Sequence, residues 1–321
     1  VFIGLGGGSS IDAGKAAWVF YEHPDIAEMH LFDVQKEVPA RELRKKARYI
    51  AIPTTSGTGS EVTGVAVITG RDITPPLKVG FGSPELKPDI AIADAELAAS
   101  MPPSVTANTG FDALVHAIEC YVLTSPSEMV DPLCILSAQT IWKWLPEAVA
   151  DGGNMTARDK MHMAALQAGM AFGNGRLGSV HLLSHEISAI FGIAHGRANA
   201  FMLCPVFAFL YSTHRKRLAD LCDLLGFSRK DDRSKIGALL FGLDELKQKV
   251  GIPLAMGDEI AEDVFKAQLA PLAESYSDYI IDKRLAGLTP EQCRADGWPV
   301  SDEEVKALYN HAWHGTRVDL K

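Results

Sequence analysis

The sequence predicts an α/β unit with a parallel sheet over residues 1–102, followed by an all-α unit over residues 103–321. Three observations carry this. Up to about residue 100 the apolar residues come in short runs closed by glycine-, threonine- or proline-rich turns, the pattern of buried strands feeding loops. After Ser104 they recur at helical spacing over segments too long for strands. Met101-Pro102-Pro103 punctuates the change, because a proline ends one element and can open the next.

The chain has 321 residues, enough for two domains and a sizeable core, and 47% are hydrophobic. A net charge of −9 argues against nucleic acid or an anionic membrane as partner, since both are held by basic faces. It leaves room for an anionic cofactor bound by backbone N–H groups. Cys120, Cys134, Cys204, Cys222 and Cys293 are scattered, with no CxxC pair, and read as small hydrophobes in a reducing cytoplasm. No apolar run is long enough for a transmembrane helix.

Val1-Phe2-Ile3-Gly4-Leu5 reads as the second half of a buried strand, so the sheet is expected to be incomplete. Gly6-Gly7-Gly8-Ser9-Ser10 follows, then a helix-forming run from Ile11 to Phe20. Strand, glycine turn and helix together offer backbone N–H groups to a phosphate, with the positive end of the helix dipole behind them. Ser9 or Ser10 suits the N-cap, and Asp12 suits the first turn. Tyr21 to Lys46 is charged and proline-punctuated, a surface connection with one short helix. Tyr49 to Pro53 is a second buried strand. It delivers Thr54 and Thr55 at its C-terminal edge, where open α/β sheets bind ligands. Gly57-Thr58-Gly59-Ser60 is a permissive polar loop beside it. Gly64 to Thr69 and Lys78 to Phe81 are short extended pieces with a turn at Arg71 to Pro76, and Asp89 to Asp94 is a further buried strand.

The helical half begins at Ser104 or Thr106. Helices are expected over Pro132–Leu145, Ala157–Phe172, the stretch bearing His181 and His185, and Gly196–Phe209 with a kink at Pro205. Amphipathic helices follow near 233–249, 258–274 and 301–313. Asp112 and His116 are four apart, as are His181 and His185, so each pair stacks on one helix face. His195 opens the next apolar run. One carboxylate and several imidazoles in apolar surroundings form a ligand set for a divalent transition metal, since burying each group alone costs a few kcal/mol. The bland alternative is a set of satisfied core histidines. His311 and His314 have no carboxylate at ligand spacing and read as surface or helix-end residues.

These residues carry a resemblance. Asp112-x3-His116, His181-x3-His185 and His195-Gly196-x-Ala198-Asn199-Ala200 resemble the iron-dependent (group III) alcohol dehydrogenase family. The glycine-rich segment and Pro53-Thr54-Thr55-Ser56-Gly57-Thr58-Gly59-Ser60-Glu61 belong to the same likeness, which covers residues 1 to about 210. It implies a Rossmann-like nucleotide-binding domain, incomplete here, followed by an α-helical metal-binding domain in a dehydroquinate synthase-like architecture. It implies a pyrophosphate loop at Gly7, Gly8 and Ser9, with Asp12 facing an NAD or NADP cofactor. Thr54, Thr55 and Thr58 would line that cofactor, Lys78 reach it, Val67 pack near it and Leu97 close over it. Asp112, His116, His181 and His195 would ligate one Fe(II) or Zn(II). His185 would face the cleft and contact the nicotinamide or relay a proton. The implied reaction is hydride transfer between a short-chain primary alcohol and its aldehyde, in a homo-oligomer.

Three rivals stand beside it. A polyol, lactaldehyde or 1,3-propanediol reductase shares the architecture and differs in substrate. A lyase of the dehydroquinate synthase kind needs a dense set of lysines and arginines, which Lys78 and Arg197 alone do not supply. A scaffold without activity would bind no cofactor.

Overall fold

The computed structural model describes residues 1–70, 77–276, 288–315 and 320. Strand β1 (Phe2–Gly6) leads through a glycine turn into helix α1 (Gly8–Glu22). A connection with one short helix, α2 (Leu31–Glu37), brings the chain to β2 (Tyr49–Pro53). An antiparallel ribbon follows, β3 (Val65–Gly70) with β4 (Leu77–Gly82), and then β5 (Ile90–Ala91). The sheet order is β1-β2-β5, all parallel, with Ile3 opposite Ile50 and Ala51 opposite Ala91.

One core holds this half together. Ile11, Trp18, Tyr49 and Phe81 are buried in it, and Trp18 stacks on Tyr49 at 5.5 Å between ring centroids. Lys15 lies within it too. Its Nζ donates to the carbonyls of Thr63 (2.8 Å) and Val65 (2.7 Å), which ties α1 to the start of β3. Burial pulls its pKa down to about 8, against the opposing pull of Asp12 and Glu61.

The strands at the sheet's ends are less buried than their apolar sequence predicts. Ile3 and Leu5 are 62% and 57% exposed, and Ile90 of the two-residue β5 is 52% exposed. Helix α1 packs against β1 and β2 from one side, so the alternate side chains of β1 face away from the core.

The second half is helical: α3 (Pro103–Leu123), α4 (Val130–Ala150), α5 (Met155–Phe172), α6 (Ser179–Phe191), α7 (His195–Leu224), α8 (Asp232–Lys249), α9 (Glu262–Tyr276), α10 (Pro290–Ala295) and α11 (Asp302–His314). Its core is a separate cluster of buried side chains. Pro102 and Pro103 open α3 as expected, with Pro102 at the N-cap. Arg158 anchors that junction from α5. Its guanidinium donates to Thr106 Oγ1 at 2.7 Å and to the Met101 carbonyl at 2.8 Å. From Gly110 to Leu123 every residue of α3 is buried, because α4, α5 and α7 pack around it. Helix α7 runs on past Pro205, and its break from helical geometry falls at His214 instead. Among the described residues no helix is long and apolar enough to cross a membrane.

The loop after β2 joins the two halves. Ser56 Oγ lies 3.0 Å from Nδ1 of the buried His162 on α5. Gly59, at φ +63°, packs its backbone directly on Gly169 of the same helix. A Cβ at Gly169 would lie 2.8 Å from Gly59 Cα and 3.0 Å from its carbonyl oxygen, and backbone cannot step aside. Gly169→Ala would gain about 1 kcal/mol of helix propensity in isolation. Here the expected result is a net loss of about 1–3 kcal/mol in denaturant unfolding, because the added methyl pushes the loop off α5.

Candidate metal centre

Three helices converge on one buried point. Helix α3 presents Asp112 and His116 one turn apart on its innermost face. Helix α6 presents His181, and the first residue of α7 is His195. Asp112 Oδ1 lies 4.0 Å from His116 Nε2, 3.9 Å from His181 Nε2 and 3.7 Å from His195 Nε2. Asp112, His116 and His181 form a mutually close set of donor atoms. His195 joins that set through Asp112, and its side chain is the most open of the four at 22% exposed. Gly196 makes the approach of α7 possible: a Cβ there would fall on the Asn108 carbonyl oxygen of α3.

Donors held about 2.1 Å from one ion in a tetrahedron stand roughly 3.4 Å apart, so a small closure suffices to bind one divalent cation. The protonation states agree. Burial pushes His116 down to about 4, with Asp112 partly opposing. Burial likewise holds His195 well below the usual imidazole range, and the nearby His185 and Lys78 add to it. Both rings are therefore neutral at pH 7, the form that ligates. The residues present fit a metal.

Two partners of this set had no assigned role in the sequence reading. Glu119 is fully buried on α3, and its Oε2 accepts from His181 Nδ1 at 2.6 Å. Its Oε1 accepts from the Val180 amide at 2.7 Å. This contact puts the His181 proton on Nδ1 and leaves the Nε2 lone pair facing Asp112. The signal lay in the spacing, since Glu119 follows His116 by three and Asp112 by seven, on the same helix face. Asn199 is also fully buried. Its Nδ2 lies 2.7 Å from Asp112 Oδ1 and 3.3 Å from both His181 Nε2 and His195 Nε2. It stands one turn after His195 on α7.

The residues expected at the cofactor fall into smaller groups. Gly7 is the N-cap of α1 without a side-chain cap, so the first amides of the helix remain available to an anion. Thr55 and Thr58 pack against Gly7 and Gly8, and the Thr54 amide donates to the Gly6 carbonyl at 2.9 Å. Ser9 is exposed at the same turn. Asp12 is turned inward: its Oδ1 accepts from Ser60 Oγ at 2.5 Å and its Oδ2 from the Val67 amide at 3.0 Å. It therefore ties α1 to the loop and to β3. Burial lowers the Lys78 pKa, while the charges of Asp112 and Asp12 oppose the shift. The His185 ring lies 4.8 Å from that of His195. Leu97 is 40% exposed on a short 3₁₀ turn against α5.

Residues 1–95 match the family model for iron-containing alcohol dehydrogenase, and residues 106–295 match the model for the Fe-containing alcohol dehydrogenase family, C-terminal part. The chain belongs to the iron-containing alcohol dehydrogenase family. Members of this family are iron-dependent, NAD(P)-linked oxidoreductases. The chain is 38% identical over 319 residues to an NADPH-dependent butanol dehydrogenase of Clostridium saccharobutylicum, a match covering 99% of this chain and 78% of that protein. It is 37% identical to a 1-propanol dehydrogenase of Salmonella typhimurium, covering 96% of this chain and 76% of that protein. The structure of an iron-containing alcohol dehydrogenase from Thermococcus thioreducens superposes with a TM-score of 0.80 at 32% identity, covering 98% of this chain and 77% of that one. The small parallel-sheet unit followed by a large helical unit is thus the family fold.

Carboxylates behind a metal-ligating histidine typically contribute 10–100-fold to metal affinity. Glu119→Gln is expected to weaken Zn(II) binding by about that factor in competition with a chromophoric chelator. An affinity within twofold of the parent chain would remove Glu119 from this role.

Proposed function

We propose that the chain interconverts a short-chain primary alcohol and its aldehyde, with Asp112, His116, His181 and His195 holding one divalent ion, Fe(II) in preference to Zn(II). The observation that carries this reading is the convergence of one carboxylate oxygen and three imidazole Nε2 atoms, in a chain whose first helix also leaves its N-terminal amides uncapped. Residues 1–102 are the dinucleotide-binding part and 103–321 the metal-binding part. The butanol and propanol named for the two relatives support a small primary alcohol as substrate.

An ion in this set supplies Lewis acidity toward the alcohol oxygen, and NAD or NADP supplies the hydride acceptor. The chain's own contribution is placement and protection. The first amides of α1, at Gly8 and Ser9, hold the pyrophosphate. Thr54, Thr55 and Thr58 give hydroxyl contacts along the cofactor, with Val67, Lys78 and Leu97 on its other sides. Asp12 stands at the cofactor's wall, held there by Ser60 and the Val67 amide. Burial of Asp112, His116 and His181 keeps bulk water from the reacting carbon. His185 takes the hydroxyl proton on an imidazole nitrogen and hands it outward, past the partly open His195. The five cysteines are free, which suits a reducing cytoplasm. The exposed apolar side chains of β1 and β5 suit a homo-oligomer.

The test is NADH or NADPH formation from 1-propanol and 1-butanol by metal-stripped protein, before and after anaerobic Fe(II) or Zn(II) addition. Restored activity is expected, with the more effective ion naming the metal. His181→Ala and His195→Ala are each expected to lose stoichiometric metal and to fall at least about 100-fold in kcat/KM, the effect of losing several kcal/mol of charge stabilisation. Retention of a full metal equivalent by both variants would overturn the ligand set. Absence of activity with either ion, either cofactor and all short alcohols and diols would overturn the reaction.

A further inference from the structure

The ligand cluster poses a problem of its own whenever no ion is bound. Asp112 Oδ1 is an acceptor, and so is His181 Nε2 in the neutral tautomer that ligates, whose proton sits on Nδ1 toward Glu119. Two buried acceptors 3.9 Å apart require a donor or a cation. The side-chain amide of Asn199 sits at that gap, with Nδ2 at 2.7 Å from the carboxylate and 3.3 Å from the His181 and His195 nitrogens. The orientation of the amide follows from chemistry. Turned over, its carbonyl oxygen would stand 2.7 Å from a carboxylate oxygen, lone pair against lone pair. At the other end Asn199 Oδ1 is buried and makes no hydrogen bond. The amide is therefore held by its nitrogen alone, against three of the four donor atoms proposed for the cation.

The two occupants are not compatible at the imidazoles. A carboxylate oxygen has a second lone pair and can serve both an amide and an ion. A ring nitrogen has one. Ligation through His181 Nε2 and His195 Nε2 requires that Asn199 release both.

We propose that Asn199 is a stand-in for the metal ion: its amide holds the ligand set assembled in the metal-free protein and withdraws from the imidazoles when the ion enters. This rests on the metal-site reading above. Asn199 is a positioning residue here, and its effect is on loading rather than on the reacting atoms. Because α7 carries both His195 and Asn199, the stand-in travels with a ligand, and the set stays together through the exchange.

The experiment is thermal unfolding of the chain, metal-free and with saturating Zn(II), together with Zn(II) affinity by chelator competition. For Asn199→Ala the metal-free Tm is expected to fall further than the Zn(II)-loaded Tm, because the loaded state loses only the bond to Asp112. The Zn(II)-induced shift then grows and Zn(II) binds about tenfold tighter, since one to two competing hydrogen bonds have gone. A variant that folds only with Zn(II) gives the same answer. Asn199→Asp keeps the shape and replaces the donor with a third acceptor oxygen and a charge. It is expected to enlarge the shift further and to tighten Zn(II) by more than tenfold. An equal loss of Tm in both states for Asn199→Ala, or unchanged or weaker Zn(II) affinity for Asn199→Asp, overturns the stand-in role while leaving the metal site intact. Failure of the parent chain itself to bind Zn(II) or Fe(II) overturns the metal site, and the stand-in with it.

Discussion

The bond between Glu119 and His181 is the constraint on which the ligand cluster depends. A carboxylate at zero exposure needs a donor on each oxygen, and the Val180 amide and His181 Nδ1 provide them. Those two donors sit at the start of α6, so the bond fixes the position of α6 on α3. It also dictates which nitrogen of His181 faces inward. Everything nearer the centre follows from that choice: an acceptor opposite Asp112, a gap between acceptors, and a polar group or ion to fill it.

Around this network the helical half supplies rigidity. Helix α3 is buried from Gly110 onward, so Asp112 and His116 have no freedom to turn toward solvent. Gly196 lets α7 close on α3, and with it His195 comes within 3.7 Å of Asp112. The low pKa values of His116 and His195 arise from the same burial. Packing that excludes water thus also keeps the rings neutral and ready to ligate. The α/β half is tied to this frame through α5 and α6. The backbone contact of Gly59 with Gly169 and the Ser56–His162 pair are two of the ties. They hold the threonine loop on α5, while Thr55 and Thr58 of the same loop pack against Gly7 and Gly8.

Much of the fold was legible in the sequence. The positions of β1, β2 and the ribbon strands followed from short apolar runs between glycines and threonines, and the long helices from apolar periodicity. The misreadings have physical causes. Residues 89–94 read as a buried strand because they alternate apolar and small residues, yet only Ile90 and Ala91 pair, at the open end of a three-stranded sheet. Pro205 was expected to kink α7, but the helix absorbs it among buried neighbours, and the break comes at His214. Helix α10 was missed because six residues carry no periodic signal. The turn at Arg71 to Pro76 lies outside the described residues.

The sequence by itself determined the chemistry: the residue types, the i, i+4 pairs that share a helix face, the glycine turn before a helix, and the family those motifs point to. A spacing of four specifies neighbours because helix geometry is local. Only the tertiary structure decided how α3, α6 and α7 cross. Helix crossing depends on which side chains meet across sixty or more residues of chain, as Glu119 meets His181. That crossing gave Glu119 its histidine and set the Asn199 amide against Asp112, His181 and His195.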